Sequence, residues 1–285
     1  MNRLSQGTIV NLVRNALAED LGSGDATTLA VVPEHLQVSA LLMARQDCVC
    51  AGLKVAEAVF RELAPDCLFA ARVEDGDACP SRTVLAKIEG PARALLSGER
   101  TALNFMQRMT GIATLTRAYV EAVGQRSTRI LDTRKTTPGL RILEKYAVAA
   151  GGGMNHRFGL FDRIMIKDNH REIAALEGPG SIARAVQACR EQFPRLEIEV
   201  EVDTLDELEE ALKAEVDYVL LDNMSDEEIA EAVELNQGRI PLEASGNITL
   251  ERVAALAALG VDFISVGALT HSAPACDLAL DIAPF

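Results

Sequence analysis

Two patterns of apolar positions divide the chain. In residues 8–20, Ile9, Leu12, Val13 and Leu17 fall at helical spacing, and Gly22 and Gly24 end the helix. Apolar and β-branched residues then mark strands near 37–44, 47–52, 68–73 and 83–88. A helix over 54–63 separates the second from the third. This predicts a small α/β layer with an antiparallel sheet. From about Gly98 to Val123 the pattern turns helical, with an interruption expected near Thr110-Gly111. The boundary falls in that stretch, giving domains 1–112 and 113–285, with room for the last residues to pack back on the first domain.

The second half follows a different rule. Short apolar strands are expected at 130–131, 163–166, 196–200, 218–221, 240–242 and 263–266. Helices are expected between them at 140–148, 181–193, 205–214, 226–235 and 249–259. The last four strands begin at 196, 218, 240 and 263, a spacing that holds one strand, one helix and two short loops. Such β/α alternation builds a parallel sheet or barrel. Polar or glycine-rich residues follow each strand: Asp132–Lys135, Lys167-Asp168-Asn169, Glu201, Asp222-Asn223, Ser245-Gly246-Asn247 and Gly267. In a β/α barrel those six ends converge on one mouth, whereas in an open doubly wound sheet only the switch-point loops share a site. The barrel reading is favoured. Six strands, with at most a seventh, fall short of a closed eight.

Composition narrows the partners. Apolar residues at 48% suffice for a core, and 25% charged is ordinary for a folded chain. A net charge of −14 excludes general nucleic-acid binding and docking on acidic membranes. Between Arg93 and Arg171, however, fourteen Lys/Arg stand against six Asp/Glu, an excess of eight positive charges. That local excess suits a polyanion held at one place. The start lacks the apolar run of a signal peptide, and no stretch of ~18 apolar residues appears. A cytoplasmic protein is expected. Cys48, Cys50, Cys67, Cys79, Cys189 and Cys276 read as buried thiols rather than a metal or redox site.

The basic excess concentrates in Thr133-Arg134-Lys135 and Asn155-His156-Arg157, beside the glycine run Gly151–Gly153. Arg offers a planar fork to carboxylate or phosphate, and Lys a point charge. Glu201 and Asp222 end consecutive strands, where carboxylates hold a divalent cation, directly or through water, or bond sugar hydroxyls. Glu197, Glu199 and Glu201 alternate, so all three are expected to point inward, with Lys167 and Lys135 as partners. Ser245-Gly246-Asn247 and Ser265-Val266-Gly267-Ala268 precede helices and resemble anion nests. Neither a GxxxxGK[ST] loop nor a GxGxxG fingerprint is present, which disfavours an ATPase or an NAD enzyme.

Several longer motifs carry a resemblance. They are Asp132–Arg141, the run Gly151–Gly159, Ile166–His170, Glu19–Asp25, Ser97–Asn104, and the late Ser-Gly-Asn and Ser-Val-Gly-Ala loops. In this order they are similar to quinolinate phosphoribosyltransferase over nearly the whole chain. The resemblance implies an N-terminal α/β sandwich and a C-terminal incomplete barrel, paired as a homodimer. It implies transfer of phosphoribose from phosphoribosyl pyrophosphate to quinolinate with decarboxylation, giving nicotinate mononucleotide for NAD biosynthesis. Mg2+ is implied and no organic cofactor. By matching positions, Arg134, His156 and Arg157 would hold the quinolinate carboxylates. Lys135 and Lys167 would line the space between the substrates. Glu201 and Asp222 would face the ribose and the Mg-bound pyrophosphate. Ser245, Gly246, Asn247 and Gly267 would cradle the 5′-phosphate, and Arg100 would enter the neighbouring subunit's site. Asn247 departs from the family, which often has Gly there. The competing expectations are a related transferase acting on another acid and a non-catalytic quinolinate-binding protein.

Overall fold

The computed structural model describes residues 4–284 apart from 177 and 179, with side chains described through residue 282. The chain opens with α1 (Gln6–Leu21), α2 (Ala26–Val31), β1 (Gln37–Ala44), β2 (Cys48–Val49), α3 (Leu53–Leu63), β3 (Leu68–Ala71), β4 (Ala78–Cys79), β5 (Val84–Pro91) and α4 (Ala92–Val123). It continues with β6 (Arg129–Leu131), α5 (Arg141–Ala150), β7 (Ile164–Ile166), α6 (Asp168–Ala175), α7 (Ser181–Gln192), β8 (Ile198–Val202) and α8 (Leu205–Lys213). It ends with β9 (Tyr218–Asp222), α9 (Asp226–Asn236), β10 (Leu242–Ser245), α10 (Leu250–Leu259), β11 (Phe263–Ser265), α11 (Ala268–His271) and β12 (Leu278–Pro284).

Two compact units emerge. The first runs to Arg117 and takes in Thr137–Gly152 and the chain from Ser272. The second comprises Ala118–Thr136 and Gly153–His271. The single cut expected at 112/113 is thus simpler than the division observed. Helix α5, expected in the barrel half, belongs to the first unit.

The first unit is built on an antiparallel sheet of order β12-β1-β5-β3. Alternation on β1 buries Val38, Ala40, Leu42 and Ala44. Helix α3 turns Val55, Ala56, Val59 and Phe60 into the core and packs against α1. Strand β12, not among the expected strands although Leu278, Leu280 and Ile282 alternate with Ala279 and Asp281, returns the chain end to pair with β1.

Helix α4 is continuous, so the break expected at Thr110-Gly111 does not occur. Those residues are shaped for close approach instead. The Thr110 hydroxyl accepts from the Ala51 N–H and donates to the Ala51 carbonyl, both at 3.2 Å. A Cβ on Gly111 would run into the Pro274 carbonyl oxygen and lie 3.3 Å from the Cys276 nitrogen.

The second unit is a six-stranded sheet of order β6-β11-β10-β9-β8-β7, every strand pair parallel. Consecutive strands from β7 to β11 are neighbours, and β6 adds beyond β11. An open doubly wound sheet would reverse direction at a switch point, and this order does not. It is a β/α barrel left open between β6 and β7, which do not pair among the described residues. On its outer side β6 is flanked by an isolated parallel bridge from Leu131 to Met154. Helices α7, α8, α9 and α10 contact one another in sequence, as an outer layer does. The register aligns the strand ends: Ser245 pairs with Asp222, and Ser265 with Leu131.

Gly111→Ala is expected to lower stability by more than about 1 kcal/mol through backbone collision, read as a lower urea midpoint. Gly7→Ala, whose added Cβ meets nothing within 4 Å, is the comparison. Equal midpoints for wild type and Gly111→Ala would contradict the packing account.

Candidate active site

The C-terminal ends of the six parallel strands surround a cavity of about 370 Å³. Thr133, Arg134 and Lys135 enter it after β6, and His156 and Arg157 enter from the loop before β7. Lys167 follows β7, Glu201 ends β8, and Asp222 ends β9. Ser245 and Ser265 close β10 and β11. Ten of the residues expected from sequence therefore share one cavity. Met165, Leu220 and Glu243 complete its walls and had not been expected.

Local hydrogen bonds explain how the basic segments reach this mouth. Asp132, fully buried at the end of β6, accepts from the Asn155 amide (2.7 Å) and the His156 N–H (2.8 Å). Its own N–H donates to the Met154 carbonyl (3.1 Å). This clamp lays residues 154–156 along β6. Gly152 turns the chain into it with φ of 94°, a conformation glycine adopts without strain. The Lys135 carbonyl accepts from the Thr270 hydroxyl at 2.8 Å, and the Thr133 hydroxyl accepts from the Lys135 N–H at 3.0 Å. Gly267 allows this approach, since a Cβ there would lie 2.9 Å from Lys135 Cδ.

The electrostatics are strained on both walls. Arg157 is buried, and burial followed by the neighbouring Arg134 guanidinium pulls its pKa down. Two crowded guanidiniums form a site for an anion, whose charge would relieve both. In the same cavity, burial, then Glu201 and then Asp203 push the Asp222 carboxyl above its ordinary range. Lys167 Nζ reaches Glu201 Oε2 at 2.7 Å and covers part of that charge.

Asn223 links two strand ends. Its amide donates to Asp222 Oδ2 at 2.7 Å, and its N–H donates to the Ser245 carbonyl at 3.0 Å. The Asn247 amide approaches Asn223 Oδ1 at 3.4 Å. Asn223, Gly246 and Asn247 all have positive φ, at 54°, 95° and 49°. Asn247 thus takes up the left-handed conformation that glycine would supply, which asparagine tolerates. Asn223 was legible in sequence only as a strand-end residue.

Four expectations change. Glu197 is exposed, 3.2 Å from Arg163, because β8 begins at Ile198, two residues later than expected, so only Glu199 and Glu201 are buried. Glu199 meets His156 Nε2 at 3.0 Å rather than a lysine. His156 lines the cavity, but Nδ1 accepts from the Arg157 N–H at 2.7 Å and Nε2 faces carboxylates. The ring is turned to the protein rather than toward an incoming acid. Val266 is buried and its N–H donates to the Leu131 carbonyl at 2.9 Å, so that N–H is spent on the sheet rather than on an anion. Gly246, Asn247, Gly267 and Ala268 adjoin the walls without lining them. Arg100 is exposed on α4 in the first unit.

With this geometry in hand, comparison with known proteins defines the class. The quinolinate phosphoribosyl transferase N-terminal domain matches residues 25–110, and the C-terminal domain of the same family matches residues 112–281. A Synechocystis protein named probable nicotinate-nucleotide pyrophosphorylase [carboxylating] is 45% identical over 93% of this chain and 90% of its own. A Bacillus subtilis protein of the same name is 42% identical over 99% and 95%. The crystal structure of NadC from Streptococcus pyogenes superposes with a TM-score of 0.94 at 42% identity, covering 100% of both chains. The chain belongs to the quinolinate phosphoribosyltransferase family.

In Gly246→Ala the new Cβ would collide with Asn223 Oδ1 and sit 2.8 Å from its nitrogen. The variant is expected to bind ribose 5-phosphate at least ~10-fold more weakly by calorimetry, a loss of about 1.4 kcal/mol. Unchanged affinity would remove the Ser245–Asn247 loop from the site.

Proposed function

We propose that this chain transfers the phosphoribosyl group of phosphoribosyl pyrophosphate to the ring nitrogen of quinolinate and releases the adjacent carboxylate as CO2. The products are nicotinate mononucleotide, pyrophosphate and CO2. The observation that carries this reading is a single cavity lined both by Arg134, Lys135, Arg157 and Lys167 and by the carboxylates Glu201 and Asp222.

Both substrates are anions, so their approach needs a cationic surface. Arg134 and Arg157 bind and orient the acid, and Lys135 and Lys167 screen the repulsion between the two reactants. As the bond from C1′ to the pyrophosphate oxygen breaks, its electron pair leaves on pyrophosphate. Positive charge gathers on the ribose, where Glu201 and Asp222 stabilise it. The pyridine nitrogen then bonds to C1′. The resulting pyridinium accepts density as the C–C bond to the neighbouring carboxylate breaks. That electron pair stays on the ring carbon, which takes a proton from water.

Glu201 and Asp222 also fit Mg2+, held directly or through water. They offer hard oxygen donors, and the crowding that pushes Asp222 up is what a divalent cation relieves. When bound, Mg2+ would neutralise the pyrophosphate oxygens. No organic cofactor enters this scheme. The chain acts as a homodimer in which the partner subunit's Arg100 completes the acid site, a role that suits an exposed arginine on α4. A reducing cytoplasm suits six cysteines that carry no disulfide. No helix among the described residues is long and apolar enough to cross a membrane.

The test is pyrophosphate release with quinolinate or nicotinate as acceptor. Release with quinolinate alone is expected, and release with nicotinate alone would favour a relative acting on another acid. Quinolinate binding without release would mark a binding protein. Lys135→Ala is expected to cut turnover by ~10²-fold or more, and wild-type kinetics would take Lys135 out of the site. Arg100→Ala should be inactive alone and regain activity when mixed with Lys135→Ala. Heterodimers without rescue would exclude a shared site.

A further inference from the structure

Beneath the cationic wall lies a buried acidic pair that the scheme above leaves unused. Glu199 on β8 and Glu243 on β10 flank β9 and point into the barrel, 0% and 2% exposed. His156 Nε2 stands 3.0 Å from Glu199 Oε2 and 3.5 Å from Glu243 Oε2. Ligating atoms of the three residues lie within 4.8 Å of one another. Beyond these contacts, Glu199 Oε1 and Glu243 Oε1 have no hydrogen-bond partner when both residues are carboxylates.

Two buried carboxylates this close cannot both stay ionised at reasonable cost. Three neighbours decide which one gives way. Glu199 has His156 Nε2 at 3.0 Å and Arg163 Nη1 at 3.7 Å to balance its charge, whereas Glu243 meets the same His156 nitrogen at the longer distance of 3.5 Å. Glu243 is pushed well up by complete burial and then by the Glu199 charge, against a hydrogen bond with Ser265. Glu243 is therefore the neutral acid, and its proton gives Glu199 a second donor beside His156 Nε2. The same three residues have the spacing of a metal site, but Arg163 already provides positive charge there, and the Arg157 guanidinium also acts on the Glu199 charge.

The pair is one end of a chain of contacts. The His156 Nδ1 atom accepts from the Arg157 N–H at 2.7 Å, so the ring carries its proton on Nε2, aimed at Glu199. The ring's orientation thus fixes the backbone of Arg157, whose guanidinium lies next to Arg134 in the cavity. We infer that Glu243 is a positioning residue for the acceptor acid: through Glu199 and His156 it sets Arg157 where the acid's carboxylate binds. Its carboxyl borders the cavity but is almost wholly buried, and its effect is on acceptor binding rather than on the phosphoribosyl donor. This inference rests on the function proposed above.

The experiment compares Glu243→Gln, Glu243→Asp and Glu243→Leu with wild type. Gln keeps the size and donates an N–H to Glu199, Leu cannot donate, and Asp withdraws the carboxyl by one methylene. For Glu243→Gln the KM for quinolinate should stay within about twofold of wild type. For Glu243→Leu it should rise at least ~10-fold, with Glu243→Asp between them, while the KM for phosphoribosyl pyrophosphate changes less than twofold. If Leu prevents folding, Gln and Asp alone still separate the outcomes. Equal quinolinate KM values across the folded variants, or equal rises for both substrates, would overturn the inference. Calorimetric binding of quinolinate to the same proteins reads the same ranking without turnover. An inactive wild type would therefore sink the proposed reaction and leave this inference still tested.

Discussion

Like charges crowded in pairs govern this cavity. Arg134 presses on the buried Arg157, and Glu201 on the half-buried Asp222. Neither arrangement stabilises the empty protein, because burying charge beside like charge costs free energy. Both are held by rigid structure: a parallel sheet whose strand ends are in register, and the Asp132 clamp that ties the 154–156 segment to β6. In the proposed reaction the cost is recovered when a ligand brings anions to the guanidiniums and developing positive charge to the carboxylates. That is the electrostatic demand of joining an acid to a phosphorylated sugar as pyrophosphate departs.

The same constraint orders the parts of the second unit. Small or left-handed residues cluster where strand ends must come close. Gly246 leaves room for Asn223, and Gly267 leaves room for Lys135. Asn223 and Asn247 accept positive φ so that the ends of β9 and β10 stay joined. Beneath them, the proton assigned to Glu243 lets an acidic floor carry one negative charge instead of two under a cationic wall.

Most of the architecture was legible in the chain, because it rests on local pattern. The β/α spacing placed β8 to β11, and the polar residues that follow each strand marked the mouth. What escaped depends on tertiary contact. Gly111 reads as a helix breaker until Pro274 is seen against it. Strand β12 alternates Leu278, Leu280 and Ile282 with Ala279 and Asp281, but its partner is distant, with Ser39 of β1 paired to Ala283, 244 residues on. His156 looks like an anion ligand in sequence, yet its nitrogens are engaged by Arg157 and Glu199. Glu243 could have been found by alternation, since it stands two positions before Ser245 on the same strand. Nothing in sequence pairs it with Glu199.

The central claim is that this cavity couples phosphoribosyl transfer to loss of the carboxylate beside the ring nitrogen. The most direct measurement follows quinolinate labelled with 13C in that carboxyl group, incubated with the enzyme, phosphoribosyl pyrophosphate and Mg2+. The account predicts labelled CO2 and pyrophosphate appearing one for one, with no label in the nucleotide. Pyrophosphate release with the label retained in the nucleotide would contradict it, as would labelled CO2 in the absence of phosphoribosyl pyrophosphate.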